Sequence, residues 1–494
     1  MSCFVRRGRP RGYLKRFKRR MKRYLIVAFG LMLGGCMVGP DYHQPDLQMP
    51  MTFKEGAQWQ RAAANPQGAL QSQWWLMYND ATLNDLIERS SRANQSIIAA
   101  EAAYRLAQAQ VASSRAGLWP TLGVGLSGAR SGGASSTATS AAATGSNVSA
   151  GGVNQSVSAT LSASWEPDLW GAVRRGIESN TATAQASDAL LAGVRLSISA
   201  SVASNYYGLR QLDIDVGLLE QQQRINQQLL TMIQAEYVQG TADNDQLLVA
   251  QDQLTSVVAA LQTSQRSREQ FEHALAVLVG IAPADFNLPP VANFTFAVPK
   301  PPLSLPSSLL QRRPDVVAAE RDAASANARI GVAEAAFFPT VDLSAQVGYR
   351  ASALSSLFSL PNRLWTLGPT LAETLFDGGA REAAVNQAQA NYDQIAANYR
   401  GTVLGALQNV EDNLSAINHL QQQADAYQQI YQRNQQLFGS EQAQQAAGTV
   451  SQQNVLTQQL ILLQTEQSLR DTQGLLSQGS VALIQSLGGG WQSH

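Results

Sequence analysis

Cysteine is nearly missing from this chain: Cys3 and Cys36 are the only two in 494 residues, and both precede residue 40. That placement excludes a disulfide framework and any cysteine-based zinc site in the body of the protein. Histidine is also scarce, and His43, His273, His419 and His494 stand apart without paired ligand spacing. Acidic residues are missing from one region only, the first 35 positions, which carry eleven Lys or Arg. Proline is missing from Ala172 to Val238 and again from Ala380 to Ala446. No serine occupies a G-x-S-x-G nucleophile setting, and Gly123-Val-Gly125-Leu-Ser-Gly128 leads into a Ser/Ala loop, not the helix a dinucleotide site requires. Nothing here reads as an enzyme or as a cofactor site.

The basic start has a direct meaning. It runs into the apolar stretch YLIVAFGLML (Tyr24 to Leu33) and then small residues. Ten apolar residues fall short of the ~20 needed to span a bilayer, whereas a basic segment, short apolar core and small residues form an export signal. Leu33-Gly34-Gly35-Cys36 resembles a bacterial lipobox, in which the cysteine is acylated and becomes the new N-terminus. Residues 1–35 are therefore expected to be a lipoprotein signal, with a diacylglycerol and an N-acyl chain on Cys36. The basic stretch before Met21 is longer than a signal needs, so Met21 is the expected start of translation. Removing the signal leaves 25 basic residues against 36 acidic ones, a net charge of −11. Nucleic-acid binding wants clustered positive charge and is excluded.

What the chain has in quantity is itself, twice. IIAAEAAYRLAQAQVASSRAGLWPT (97–121) superposes on VVAAERDAASANARIGVAEAAFFPT (316–340) at a constant offset of 219. Gly240-Thr241 then aligns with Gly448-Thr449 at 208, and Val279-Gly280 with Leu487-Gly488. The excess in the first copy falls in the small, polar segment 131–152, which reads as a loop. Within each copy a helix ends at Pro-Thr and the period changes to two. Strands are expected at about 121–130, 153–166, 340–351 and 365–376, each close to the ~9–11 residues of a membrane-crossing strand. Trp119, Trp165, Tyr349 and Trp365 fall near strand ends, where membrane barrels carry aromatic girdles. The proline-free stretches predict two helices of 67 residues, about 100 Å each at 1.5 Å per residue. Each returns through a Gly-Thr turn into a second helix. Small residues (Ala182, Ala186, Ala189, Gly193) mark a line of close backbone approach.

The expected organisation is a signal (1–35), an anchored N-terminal equatorial segment (36–82), a first repeat (83–285), a Pro-rich linker (286–309), a second repeat (310–488) and a tail (489–494). Four strands are too few for a membrane barrel, which closes with at least eight. One chain cannot close its own barrel, so the architecture demands an oligomer.

At this point the chain resembles the TolC-like outer-membrane factors, in particular the lipoprotein branch serving resistance–nodulation–division efflux pumps. The resemblance rests on VGPDY (38–42), SWEPDLWG (164–171), RRPDVVAAE (312–320), IGVAEAAFFPT (330–340), LFDGG (375–379) and LGGGW (487–491). It implies a mainly α fold with a membrane β-barrel: a homotrimer pooling four strands per chain into twelve, above a twelve-helix periplasmic tunnel. It implies an outer-membrane exit duct for drugs and other small toxic compounds, docking a periplasmic adaptor and an inner-membrane transporter. Family members often carry an aspartate in the last hairpin, just after its glycine turn. Here that hairpin reads GTVSQQNVLTQQ, with Gln453, Asn454 and Thr457, while the sister turn GTADNDQ carries Asp243 and Asp245. These five are the candidate gate residues, the two acids supplying charge and the others polar contacts. Pro167 stands where SWELDLWG has leucine and is expected to end the second strand. A type I protein-secretion channel and a non-channel scaffolding lipoprotein are the alternatives. A periplasmic adaptor would show one helical hairpin, not two.

Mass spectrometry of the Cys36→Ser variant tests the start and the anchor together. The wild type should begin at Cys36 and carry three acyl chains. The variant should accumulate as an unlipidated precursor whose first residue is Met21; a precursor peptide from before Met21 would contradict the assigned start.

Overall fold

The computed structural model describes residues 37–56, 73–132, 153–299 and 312–490. Residues 1–36, with Cys36 among them, and residues 57–72, 133–152, 300–311 and 491–494 lie outside them. Helices α1 (Ala81–Ala93) and α2 (Gln95–Ala116) lead to strands β1 (Thr121–Gly132) and β2 (Val153–Trp165). Then come α3 (Ala172–Val238) and α4 (Asn244–Leu278). The second copy repeats the order with α5 (Pro314–Ala335), β3 (Thr340–Ala351), β4 (Arg363–Ala372), α6 (Ala380–Ala446) and α7 (Gln452–Ser486). The compact units are not the two sequence repeats. One unit gathers residues 37–44, 107–183 and 323–394, the other 45–106, 184–322 and 395–490, so each draws on both copies. The cause is that elements of one copy pack on elements of the other, as β2 pairs with β3 and α3 packs on α5 and α7.

The first unit holds a four-stranded antiparallel sheet in the order β1-β2-β3-β4. Its register aligns the apolar positions: Val124 opposite Leu161, Leu161 opposite Val347, and Val347 opposite Trp365. The face they form is open, with Leu122, Val124, Leu126, Trp365, Leu367 and Leu371 each at least 70 % exposed. Ser127 and Ser158 on the opposite face share a hydrogen bond of 2.6 Å, and Ser164 donates to Asp342 at 3.1 Å. The polarity is inverted relative to a soluble sheet. β4 corrects the expected span 365–376: it begins two residues earlier and stops at Ala372. Ala372 faces Thr340, and the next partner would be Pro339, which has no N–H to donate. β2 stops at Trp165, two residues before Pro167.

Both helix-to-strand corners are built alike. Gly117, Leu118 and Trp119 donate to carbonyls three residues back, and Ala336, Phe337 and Phe338 do the same. Tryptophans tie the corners across: Trp165 Nε1 donates to Leu118 O at 3.0 Å, and Trp170 Nε1 to Pro339 O at 2.7 Å. The VGPDY segment is fixed here by Arg175, which is 1 % exposed. Its guanidinium donates to Val38 O, Gly39 O, Asp41 and Glu178 at 2.8–3.1 Å. Gly39 has φ +98°, and a Cβ there would stand 2.3 Å from Gly331 Cα, so two of the motifs meet backbone to backbone.

In the second unit the main core joins α1, the middle of α3, α6, α7 and the irregular segments. Trp74, Tyr78, Tyr206, Tyr207, Phe294 and Phe296 form a chain of ring contacts, with centroids 5.2–6.5 Å apart. Burial raises the Tyr206 hydroxyl to about 12, so it stays a donor, to Asp80 at 2.7 Å. The small-residue line packs as its composition predicts, with Ala186 and Ala189 against Ala318 and Gly193 beside Pro314. The repeat is kept in geometry but not in chemistry. Asn94 caps α2 and donates to Leu278 O at 2.9 Å. At the equivalent position Arg313 donates to Ser486 O at 3.2 Å and pairs with Asp315 at 2.6 Å. The Arg312-Arg313 pair is thus structural at least in its second member.

Truncation of either residue uncouples a helix start from the end of its partner helix. Arg313→Ala should cost about 2–3 kcal/mol, the range for a hydrogen bond from a charged group. Asn94→Ala should cost about 1 kcal/mol, the range for a lost cap. Denaturant midpoints of the detergent-solubilised protein measure both, and equal midpoints would contradict the ranking.

Candidate functional site at the hairpin turns

The two hairpin turns are the same device. α3 ends at Gly240 (φ +77°) and α6 at Gly448 (φ +76°), left-handed positions that favour glycine. Thr241 returns both its N–H and its hydroxyl to Glu236 O, at 2.9 and 3.0 Å. Thr449 does the same to Gln444 O, both at 3.0 Å. The Gly-Thr pair seen twice in the sequence is therefore a helix stop whose threonine satisfies an orphan carbonyl.

The helices that return are capped differently. Asp243 caps α4 in a reciprocal box, accepting from Gln246 N at 2.8 Å while the Gln246 side chain accepts from Asp243 N at 3.2 Å. At the equivalent position Ser451 caps α7, its hydroxyl accepting from Asn454 N at 3.2 Å. Asp243 therefore has a local role before any electrostatic one, and its charge sits at the positive end of the α4 dipole. Asp245 is exposed in the first turn of the same helix. Gln453 is half-buried, Asn454 and Thr457 are exposed, and the Thr457 hydroxyl returns to Gln453 O at 2.8 Å.

A cavity of about 850 Å3 opens between the end of α3, α4 and α7. Gln453 and Thr457 line it, but Asp243, Asp245 and Asn454 do not. Its acids are Glu236 and Asp252, with Gln246, Gln253 and Gln464 beside them. Both acids were missed in the sequence. The readable signal was spacing: Asp252 follows Asp245 by seven residues, two helical turns along the same side of α4. The arrangement suits passing or weakly held cations, because carboxylates and amide oxygens line it without imidazole or thiolate. Among the described residues no group of three or more His, Cys, Asp or Glu is close enough to hold a metal ion.

Three comparisons bear on this geometry. Residues 86–281 and 305–489 match the family model for outer membrane efflux proteins. The chain is 28 % identical over 468 residues to the probable efflux pump outer membrane protein TtgC of Pseudomonas putida, covering 94 % of each chain. It is 31 % identical over 448 residues to the pyoverdine export outer membrane protein OpmQ of the same species, covering 88 % of this chain and 92 % of that one. Among solved structures, the outer-membrane channel OprN superposes with a TM-score of 0.80 at 27 % identity, over 92 % of this chain and all of the other.

Substitution separates the cap at Asp243 from its charge. Asp243→Asn keeps a capping acceptor and should shift stability by no more than a few tenths of a kcal/mol, whereas Asp243→Ala should cost about 1 kcal/mol. Hydrogen exchange of the amides at 244–247 reads the difference; equal protection in the two variants would refute the cap.

Proposed function

The chain belongs to the outer membrane efflux protein family, and on that premise we propose how it works as the outer-membrane exit duct of a tripartite efflux pump. It is a passive channel, not an enzyme. Drugs and other small toxic compounds delivered from the periplasmic side leave the cell through it.

The observation that carries the reading is the sheet. Its apolar face is turned outward, and its edge strands β1 and β4 each pair on one side only among the described residues. Unpaired backbone groups in hydrocarbon cost several kcal/mol apiece. Three chains remove the edges by joining β1 of one copy to β4 of the next, giving twelve strands. The paired hairpins of the three copies then make a twelve-helix tunnel. The Gly-Thr turns form its periplasmic end and face a periplasmic adaptor, which links the duct to an inner-membrane transporter. Acyl chains on Cys36 hold the N-terminal segment at the membrane, and Arg175 carries that tether into the fold through Val38, Gly39 and Asp41.

At the gate, Asp243 and Asp245 set a negative potential at the turn, while Gln453, Asn454 and Thr457 supply polar contacts. Glu236 and Asp252 extend the acidic lining into the cavity. Carboxylates grouped around a constriction favour cations over anions.

The test is reconstitution in a planar bilayer after the mass in mild detergent has been measured. Three chains per particle and cation-selective conductance are expected. Asp243→Asn with Asp245→Asn should lower the cation preference, and adding Asp252→Asn should lower it further. A monodisperse single chain would end the channel reading. Unchanged selectivity in the triple variant would end the gate assignment alone.

A further inference from the structure

One pair of ionisable groups is used by nothing above. Asp215 on α3 is 6 % exposed, and its Oδ1 has no hydrogen-bond partner among the described residues. Asp471 on α7 is the carboxyl that acts on Asp215, through its charge and a side-chain hydrogen bond. Asp471 is itself oriented by Gln211, whose Nε2 donates to its Oδ1 at 2.9 Å. Gly474 makes room for that amide, since a Cβ there would come within 2.6 Å of Gln211 Oε1. Two carboxylates offer four acceptors and no donor, so the contact closes only when one of them holds a proton.

Among the described residues no cation forms an ion pair with either carboxyl. On α3, Asp213 is held by Arg210 and Arg268, both at 2.7 Å. On α7, Arg470 is directed to Glu466 and Gln473, at 3.5 and 3.4 Å. On α6, Tyr431 faces Glu466 and Arg470. From the linker, Pro289 O and Val291 N bond to Arg210 and Asp213 and contribute no charge. Burial first, and the Asp471 charge second, raise the Asp215 carboxyl to about 8. The duplication does not repeat the feature: Asp215 corresponds to Gln423, and Asp471 to Thr263, neither of which titrates.

We propose that Asp215 and Asp471 share one proton and form a pH-sensitive latch between the first helical hairpin (α3–α4) and the second (α6–α7). Beside the pair, Ile214 and Leu218 of α3 cluster with Leu463 of α7. With the proton in place, the carboxyl–carboxylate bond ties α3 to α7. When it is lost, two like charges face each other in a poorly solvated contact and push the hairpins apart. The sign follows from linkage. A carboxyl whose folded pKa is raised from 3.8 to about 8 binds more protons folded than unfolded between those values. Its contribution to stability is full below about pH 4 and is lost as the pH rises through about 8. The latch rests on the buried Asp215 carboxyl with its unpartnered Oδ1 and on the Asp471 carboxyl, which Gln211, one turn before Asp215 on α3, holds beside it; its consequence for conductance rests on the channel reading above.

Infrared titration of the full chain in detergent tests the latch. A protonated-carboxyl band should persist beyond the usual carboxylate range of about 4 and vanish with a midpoint near 8. It should be absent in Asp215→Asn, whose amide donates the bond at every pH; in Asp471→Asn, which serves if the first variant does not fold, its midpoint should fall, because the like charge that helps raise it is gone. Loss of all such bands by about pH 6 in the wild type would overturn the proposal. In bilayers the open probability should rise several-fold across the same midpoint and stay flat in Asp215→Asn. A wild type that conducts with a pH-independent open probability would overturn the gating role. If no preparation conducts, the channel reading fails, and the infrared result still decides whether the proton is shared.

Discussion

A backbone amide in hydrocarbon has no water to bond, and the rest of this structure follows from that constraint. The sheet of four strands turns Leu122, Val124, Trp365 and Leu367 outward, which is tolerable only where the surroundings are themselves apolar. Such a sheet has two edges, and lipid cannot satisfy either. The chain can neither close the sheet alone, with four strands, nor cover the edges with its helices, which are needed elsewhere. Completion by other copies, as proposed above, would remove both edges. The corners acquire their importance from the same source, because each is where the backbone exchanges helical for ladder hydrogen bonds. Trp165 and Trp170 close them with indole donors to Leu118 O and Pro339 O.

Duplication explains how one chain makes two equivalent hairpins, but the two copies solve the same local problems with different residues. The start of one helix is tied to the end of the last helix of the same copy by Asn94 in the first copy and Arg313 in the second. The returning helix is capped by Asp243 in one and Ser451 in the other. The middle of each long helix holds a different irregular segment. In the first copy Arg210 donates to Pro289 O and Glu272 accepts from Leu288 N. At the equivalent positions of the second copy, Asn418 donates to Glu55 O and Ser480 bonds Tyr78. The backbone plan is shared, while the side chains record which segment each copy must carry.

That division sets what could be read in the sequence. The long helices were legible because the absence of proline over 67 residues is a strong constraint, and the strands because alternation survives wherever one face meets an apolar medium. The end of β4 was not, because it is fixed by the partner residue Pro339, which composition near 372 does not reveal. Nor were the compact units, since contacts between copies leave no mark on either copy alone. At the turns, Gly240 and Thr241 were readable as a stop. The double role of Asp243 was not, because an acid beside a glycine turn looks the same whether it caps a helix or faces a pore. Glu236 and Asp252 escaped because the cavity they line is completed by α7, which is distant in sequence from both.

The places where the duplication is broken are also the places where charge enters. Ser451 could have capped α4 as well as it caps α7, and Gln423 and Thr263 show that the tunnel helices accept neutral residues where the other copy has Asp215 and Asp471. Acids at only one of two equivalent sites give the hairpins unequal responses to charge and pH. In a symmetric pair of hairpins, any change in protonation would move both alike and leave their relation unchanged. Because Asp215 lies on one hairpin and Asp471 on the other, protonation acts on the contact between them. A movement of one hairpin against the other requires that kind of asymmetry, and in this chain it is written on a backbone that is otherwise the same unit used twice.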